Sequence, residues 1–313
     1  MKSAEGSSQL GADSQAQRRI KSLPTAPTSW LANYHTHNRW CDGQGEIEEL
    51  VVAAMAAGLT AIGISSHAPV PFRAGYALPL AHLRAYRAEV LRVRDAYAGQ
   101  IEVILGLELD AMPELRQFNQ DEILTLGFDY TVGSVHFQGY DDAGEPWPLD
   151  HSESRFGGLL RDRYAGDIRT LVEDHYARIA ALADYPGVDI VGHIDRGVKL
   201  WNTTGRYFSE DAPWYRAAVD GALTALAQSG RIVELSTGGW RRGLPDPFPS
   251  PWIVRRCHEL GVPMTLNSDS HHPRQLTYDY PRALALLREI GQTEIARFDP
   301  ATGAWAMAPL PEL

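Results

Sequence analysis

The chain has 313 residues, 44% of them hydrophobic and 22% charged, which is ordinary for a soluble globule with a large core. Its formal net charge of -10 disfavours a nucleic-acid or anionic-membrane partner, because binding to a phosphate backbone needs a basic face. Two cysteines, Cys41 and Cys257, cannot form a disulfide framework, and no apolar run reaches the ~18 residues that would suggest a membrane span.

Residues 1–28 are rich in Ser, Gln, Gly and Ala and lack an apolar signal-peptide core. They read as a flexible extension before a single domain over 29–313. Reduced thiols and the absence of a secretory signal fit a cytoplasmic protein. From residue 29 onward, short apolar runs alternate with longer helical patterns, the signature of repeated βα units and a parallel sheet.

The first run, Trp30 to Tyr34, ends in His35-Thr36-His37, and a helix is expected over Ile47 to Ala57. The second, Thr60 to Ile64, leads to His67, with a helix over Leu80 to Tyr97. The third, Ile101 to Leu109, contains Glu108. A short helix over Pro113 to Leu126 precedes the fourth run, Tyr130 to Val135, which ends at His136. Gln138 to Gly158 reads as a long loop over the mouth. A helix over Ile168 to Ala183 leads to the fifth run, Val188 to Val191, and His193. Another over Pro213 to Gln228 leads to the sixth, Arg231 to Leu235, followed by Ser236-Thr237-Gly238-Gly239-Trp240-Arg241. Pro251 to Leu260 reads as helix before the seventh run, Pro263 to Leu266, which ends at Asp269 and His271. A last helix, Pro281 to Ile290, and a hairpin over Glu294 to Met307 finish the chain. Seven core strands of this kind give an α/β fold, a (β/α)7 TIM-like barrel.

His35, His37, Asp42, His67, Glu108, His136, His193, Asp269 and His271 then form a candidate set of metal ligands, because a parallel barrel brings its strand ends to one face. Residues two apart on a strand point to the same side, so His35 and His37 can share a cation. Glu108 lies within Val103-Ile104-Leu105-Gly106-Leu107-Glu108-Leu109, where a buried carboxylate is costly unless paired or bound to a cation. Its two oxygens make it the candidate bridge. Asp269 could ligate metal, hold the attacking water, or simply cap a helix. His272 competes with His271, and for Asp42 in Cys41-Asp42-Gly43 the competing reading is a turn residue. Arg196 and Arg241 would stand at the mouth and could grip a phosphate, with Arg242 as the competitor of Arg241. His82, His175 and His258 fall on helix patterns and read as surface or packing residues. His151 is left open.

Several segments together resemble the polymerase and histidinol phosphatase (PHP) family, within it the monofunctional histidinol-phosphatases. They are Tyr34-His35-Thr36-His37, Ser66-His67-Ala68-Pro69, Gly106-Leu107-Glu108-Leu109-Asp110, Gly133-Ser134-Val135-His136-Phe137, Gly192-His193-Ile194-Asp195, Glu234-Leu235-Ser236-Thr237-Gly238-Gly239 and Ser268-Asp269-Ser270-His271-His272-Pro273. The resemblance implies a distorted seven-stranded barrel (the PHP fold) and a site of three divalent metals, zinc, iron or manganese. It implies one metal on His35, His37, Glu108 and Asp269, a second on Glu108, His136 and His193, and a third on Asp42, His67 and His271. It also implies that Arg196 and Arg241 hold the phosphate of a small phosphorylated substrate, L-histidinol phosphate, in histidine biosynthesis. Asp269, His271 and the two arginines would be the catalytic groups. Two departures stand out: Ser65-Ser66 replaces an acidic residue often found before the second-strand His, and Trp240 is bulkier than the usual leucine.

Overall fold

The computed structural model describes residues 21–22 and 30–312. Its strands are β1 (Lys21–Ser22), β2 (Ala32–Asn33), β3 (Ala61–Ile64), β4 (Glu102–Asp110), β5 (Tyr130–Ser134), β6 (Phe137–Tyr140), β7 (Pro146–Pro148), β8 (Ile190–Val191), β9 (Ile232–Ser236), β10 (Met264–Asn267), β11 (Glu294–Asp299) and β12 (Ala304–Pro309). Seven of them form one all-parallel sheet in the order β10-β9-β8-β5-β4-β3-β2. That is the seven-stranded α/β barrel expected from the apolar runs, with each strand buried on both faces as a parallel sheet requires.

The seam between β2 and β10 is closed differently from the rest. No ladder joins the two strands there. Instead the Tyr34 amide donates to Asn267 Oδ1 (2.7 Å) and Asn33 Nδ2 donates to Ser268 Oγ (2.7 Å). Just above, Thr36 and Ser270 make a parallel bridge. Polar side chains thus replace backbone bonds at one joint, and the barrel is distorted there.

Several crossover helices have a local reason to form. Glu46 and Glu49 make a capping box at the start of Ile47–Ala56. Proline occupies the first turn of Pro213–Ser229, Pro251–Leu260 and Tyr280–Glu289, where its missing N–H costs nothing. Gly230 (φ +70°) and Gly261 (φ +67°) end the first two of these in the left-handed conformation.

The barrel interior is filled by Tyr130, whose hydroxyl donates to the Tyr34 carbonyl (2.5 Å). Its ring lies so close to Gly63 and Gly106 that a Cβ on either would sit 2.1 and 2.4 Å from Tyr130 atoms. The predicted C-terminal hairpin is present as β11–β12. Its Phe298 and Trp305 pack with Tyr34 and Tyr130 in one aromatic cluster.

Two expectations change. The mouth segment is not a loop: β6 and β7 pair as a hairpin, and helix Glu153–Asp162 follows, with Ser152 Oγ accepting from the Arg155 amide (3.3 Å). Asp141 Oδ1 accepts from the amides of Ala143 and Glu145 and closes the hairpin turn (both 2.9 Å). Second, Pro113–Leu126 is a chain of short 3-10, α and π turns rather than one helix. The expected extension over 1–28 lies outside the described residues, apart from Lys21–Ser22, which pairs in parallel with β12.

Candidate metal centre

All nine candidate ligands meet at the C-terminal end of the barrel. Glu108 is the hub. Its Oε2 lies 3.3 Å from His35 Nε2, 3.4 Å from His37 Nε2 and 2.9 Å from His67 Nδ1. Its Oε1 lies 3.2 Å from His193 Nε2 and 3.5 Å from His136 Nε2. Ser134 Oγ donates to the same Oε1 (2.6 Å). Asp269 Oδ1 lies 3.3 Å from His37 Nε2 and 3.5 Å from His271 Nδ1. Asp42 Oδ1 is 3.5 Å from His271 Nε2 and 3.7 Å from His67 Nε2.

Four overlapping groups emerge: His35, His37 and Asp269; His35, Glu108 and His193; His67, Glu108 and His136; and His37, Asp42, His67 and His271. His35, His37 and His67 each serve two of them. His272 faces elsewhere, its Nδ1 accepting from the Arg274 amide (3.0 Å). The helix histidines stay out of the cluster: His82 and His258 are exposed, and buried His175 donates from Nε2 to the Ile194 carbonyl (2.8 Å). His151 is also exposed.

Local backbone geometry aims these groups. Asp269 (φ +49°) and His193 (φ +21°) adopt conformations uncommon for non-glycine residues, a strain tolerated where the surroundings hold it. Gly43 is required beside Asp42, since a Cβ there would come within 2.4 Å of the backbone at His37 and Asn38.

The donor set fits divalent cations on two counts. First, His35 Nε2, His37 Nε2, His67 Nδ1, His136 Nε2 and Glu108 Oε2 are buried without a hydrogen-bond partner. Unpaired buried polar atoms are costly, so several converging on one point need an occupant. Second, the outer nitrogens of two rings are fixed by acids. His35 Nδ1 donates to Glu234 Oε1 (2.7 Å) and His136 Nδ1 to Asp110 Oδ1 (2.7 Å), which aims each Nε2 inward as metal-binding imidazoles require.

Charge points the same way. Burial opposes ionisation of Glu108, but His67, His35 and His136 hold it well below the ordinary carboxylate range. Burial likewise opposes Asp269, and His271, His37 and Arg242 keep it ionised. His37 is pushed well below the usual imidazole value by burial and by neighbouring His271 and His67, so it keeps a free lone pair. His136 rises to about 9: burial works against its charge, but Asp150, Asp110 and Glu108 outweigh it. The site is rich in buried anions and demands positive charge.

Three guanidinium groups rim this cluster on the far side of Asp269. Its Oδ2 lies 3.2 Å from Arg242 Nη1, 3.8 Å from Arg241 Nη2 and 4.0 Å from Arg196 Nη1. Arg241 also donates to the Asp269 carbonyl (2.6 Å), and Arg196 faces Asp150 (3.2 Å). Burial and the nearby Arg196 lower Arg242 to about 10.

Sequence reasoning gave no role to Asp110, Glu234, Asp150 or Tyr76, whose hydroxyl donates to Asp110 Oδ2 (2.7 Å). Glu234 and Asp110 carried a usable signal, since both are acids within buried strands. Asp150 and Tyr76 come from connecting segments and carried none. Trp240 does not enter the mouth: its indole donates to the Pro245 carbonyl (3.1 Å) and Arg282 lies over its ring.

The PHP domain family matches residues 33–238. A protein named "Probable histidinol-phosphatase" from Deinococcus radiodurans is 30% identical over 264 residues, covering 83% of this chain and 94% of its own. The histidinol-phosphatase of Bacillus subtilis is 26% identical, covering 79% and 95%. Among solved structures, a histidinol phosphate phosphatase from Lactococcus lactis, complexed with zinc, L-histidinol and phosphate, has a TM-score of 0.66 at 19% identity, covering 88% of this chain and 98% of its own. At that identity it supports the fold. The match to residues 33–238 and the Deinococcus relative go further: this chain belongs to the PHP domain family.

Proposed function

We propose that the chain is a metal-dependent phosphate monoester hydrolase that converts L-histidinol phosphate to L-histidinol and phosphate in the cytoplasm. One observation carries the reading: unpartnered buried nitrogens of four histidines and a Glu108 oxygen converge beside three arginines. The names of the Deinococcus, Bacillus and Lactococcus relatives support the substrate.

Three divalent cations, zinc, iron or manganese, would be held by His35, His37, Glu108 and Asp269, by Glu108, His136 and His193, and by Asp42, His67 and His271. When bound, such cations supply the positive charge that makes water nucleophilic near neutral pH and offsets charge on phosphoryl oxygens. Glu108 presents one oxygen to each half of the cluster and so ties the halves together. Asp269 stands on the border, with Oδ1 toward imidazoles and Oδ2 toward guanidiniums. A phosphate ester seated there would have cations on one side and Arg196 and Arg241 on the other. Planar guanidiniums grip phosphate through two oxygens and favour the in-line geometry. His271, with its side chain 23% exposed, is the most open imidazole of the set and marks the entrance.

The test is to strip the protein with a chelator, assay phosphate release from L-histidinol phosphate, and restore manganese or zinc. Activity should vanish and return; full activity without metal would overturn the reading. Arg241→Ala should raise KM strongly with metal content unchanged. Loss of metal instead would remove the arginine from the substrate site.

A further inference from the structure

Three like-charged guanidiniums converge on one carboxylate oxygen, and mutual repulsion drives them apart. Two separate segments carry them. Arg196 stands in the short helix Arg196–Lys199 after His193, while Arg241 and Arg242 belong to Gly238–Arg241 and its end. Something must fix the distance between these segments.

A buried lysine on the first segment reaches toward the second. Lys199 is 6% exposed, and its Nζ donates to Ser250 Oγ (2.5 Å) and to the Pro247 carbonyl (3.2 Å). It also lies 3.4 Å from Asp246 Oδ2 and 3.7 Å from Asp195 Oδ2. Asp195 is fully buried and accepts from both the amide and hydroxyl of Ser250 (2.8 and 3.2 Å). Segment 246–250 in turn rests on the arginine-bearing turn. A Cβ at Gly239 would sit 2.3 Å from the Asp246 carbonyl, and Phe248 exchanges both backbone bonds with Ser236 (2.6 and 2.9 Å). The path from Arg196 to Arg241 is therefore one continuous set of buried contacts with Lys199 at its centre.

We propose that Lys199 is a positioning residue: it clamps segment 193–199 to segment 246–250 and so sets the spacing of the phosphate-gripping arginines. The inference rests on the phosphate-site reading above. Lys199 lies outside the ligand cluster and acts only through the arginines. Displacing a reactant-holding group by even ~1 Å can cost up to about a hundredfold.

Lys199→Met, in the full metal-loaded chain, removes the donors and keeps the stem. It should weaken the binding of inorganic phosphate, measured by calorimetry, roughly tenfold, and raise KM for L-histidinol phosphate in parallel. Metal content should stay unchanged and kcat should shift less than KM. Because Met leaves Asp195 as an unpaired buried charge, the variant could lose stability. Lys199→Met with Asp195→Asn removes that charge and should show the same loss of phosphate affinity. Unaltered phosphate binding in whichever variant folds would overturn the clamp, as would an unmodified chain that binds no phosphate. A chain that binds phosphate normally but releases none from L-histidinol phosphate overturns the substrate instead and leaves the clamp testable.

Discussion

Glu108 shows how much one side chain can organise. Both its oxygens face imidazoles, and it is 1% exposed. Glu108→Gln keeps the shape but removes the charge that would offset bound cations. Metal content measured by elemental analysis should fall, and turnover should drop at least ~100-fold, since even outer partners of metal ligands are worth 10- to 100-fold. Full occupancy in that variant would mean Glu108 is not shared between cations. Asp110→Asn probes such an outer partner. It removes the carboxylate that orients His136, so metal affinity should fall about 10- to 100-fold in a competition titration with a chromogenic chelator. Glu108 was legible in the sequence because an acid in an unbroken apolar strand needs a reason. Asp110 was legible only as a position, because its partner His136 lies just past the end of the neighbouring strand β5.

At the scale of elements, helix Ile168–Ala181 braces the loop that carries His193. Its contact is His175, which donates to the Ile194 carbonyl. Burial pushes His175 from 6.5 down to about 4. The folded chain therefore refuses a proton that the unfolded chain accepts between those values. Stability is complete above about pH 6.5, falls as the pH drops through the window, and reaches its full loss near pH 4. His175 alone should cost about 2 kcal/mol between pH 7 and pH 5. His175→Gln can still donate to the carbonyl, so urea unfolding at the two pH values should show a smaller difference than in the parent. An equal difference would place the acid sensitivity elsewhere. Helix positions and ends were largely readable, since periodicity, proline at the first turn and glycine at the end are local. The mouth hairpin was not, because its Asp, Gly and Pro content suits a loop as well as two short strands and a turn.

For the molecule as a whole, the hairpin β11–β12 and the candidate metal centre lie at opposite ends of the barrel. Phe298 is 3% exposed within the aromatic cluster of Tyr34, Tyr130 and Trp305. Phe298→Ala should cost about 3 kcal/mol by equilibrium unfolding, with metal content unchanged in the folded protein. At the other end, cations that bind only the folded chain should stabilise it by ~2.7 kcal/mol for each site held a hundredfold above its Kd. A chelator should accordingly lower Tm, and restored manganese or zinc should raise it again. Among the described residues no helix is long and apolar enough to cross a membrane. Cys41 and Cys257 are both free.

By itself the sequence determined the alternation of apolar strands and helices, the seven-strand count and which strand ends carry the candidate ligands, because those follow from local periodicity and from the cost of burying charge. Only the tertiary structure decided which candidate ligands share a group, that a third arginine joins the rim, that Trp240 packs against Pro245 and Arg282, and that Lys199 ties the Arg196 segment to segment 246–250. Each of these depends on side-chain direction across strands and loops far apart in the chain. Spacing along the sequence carries no information about that.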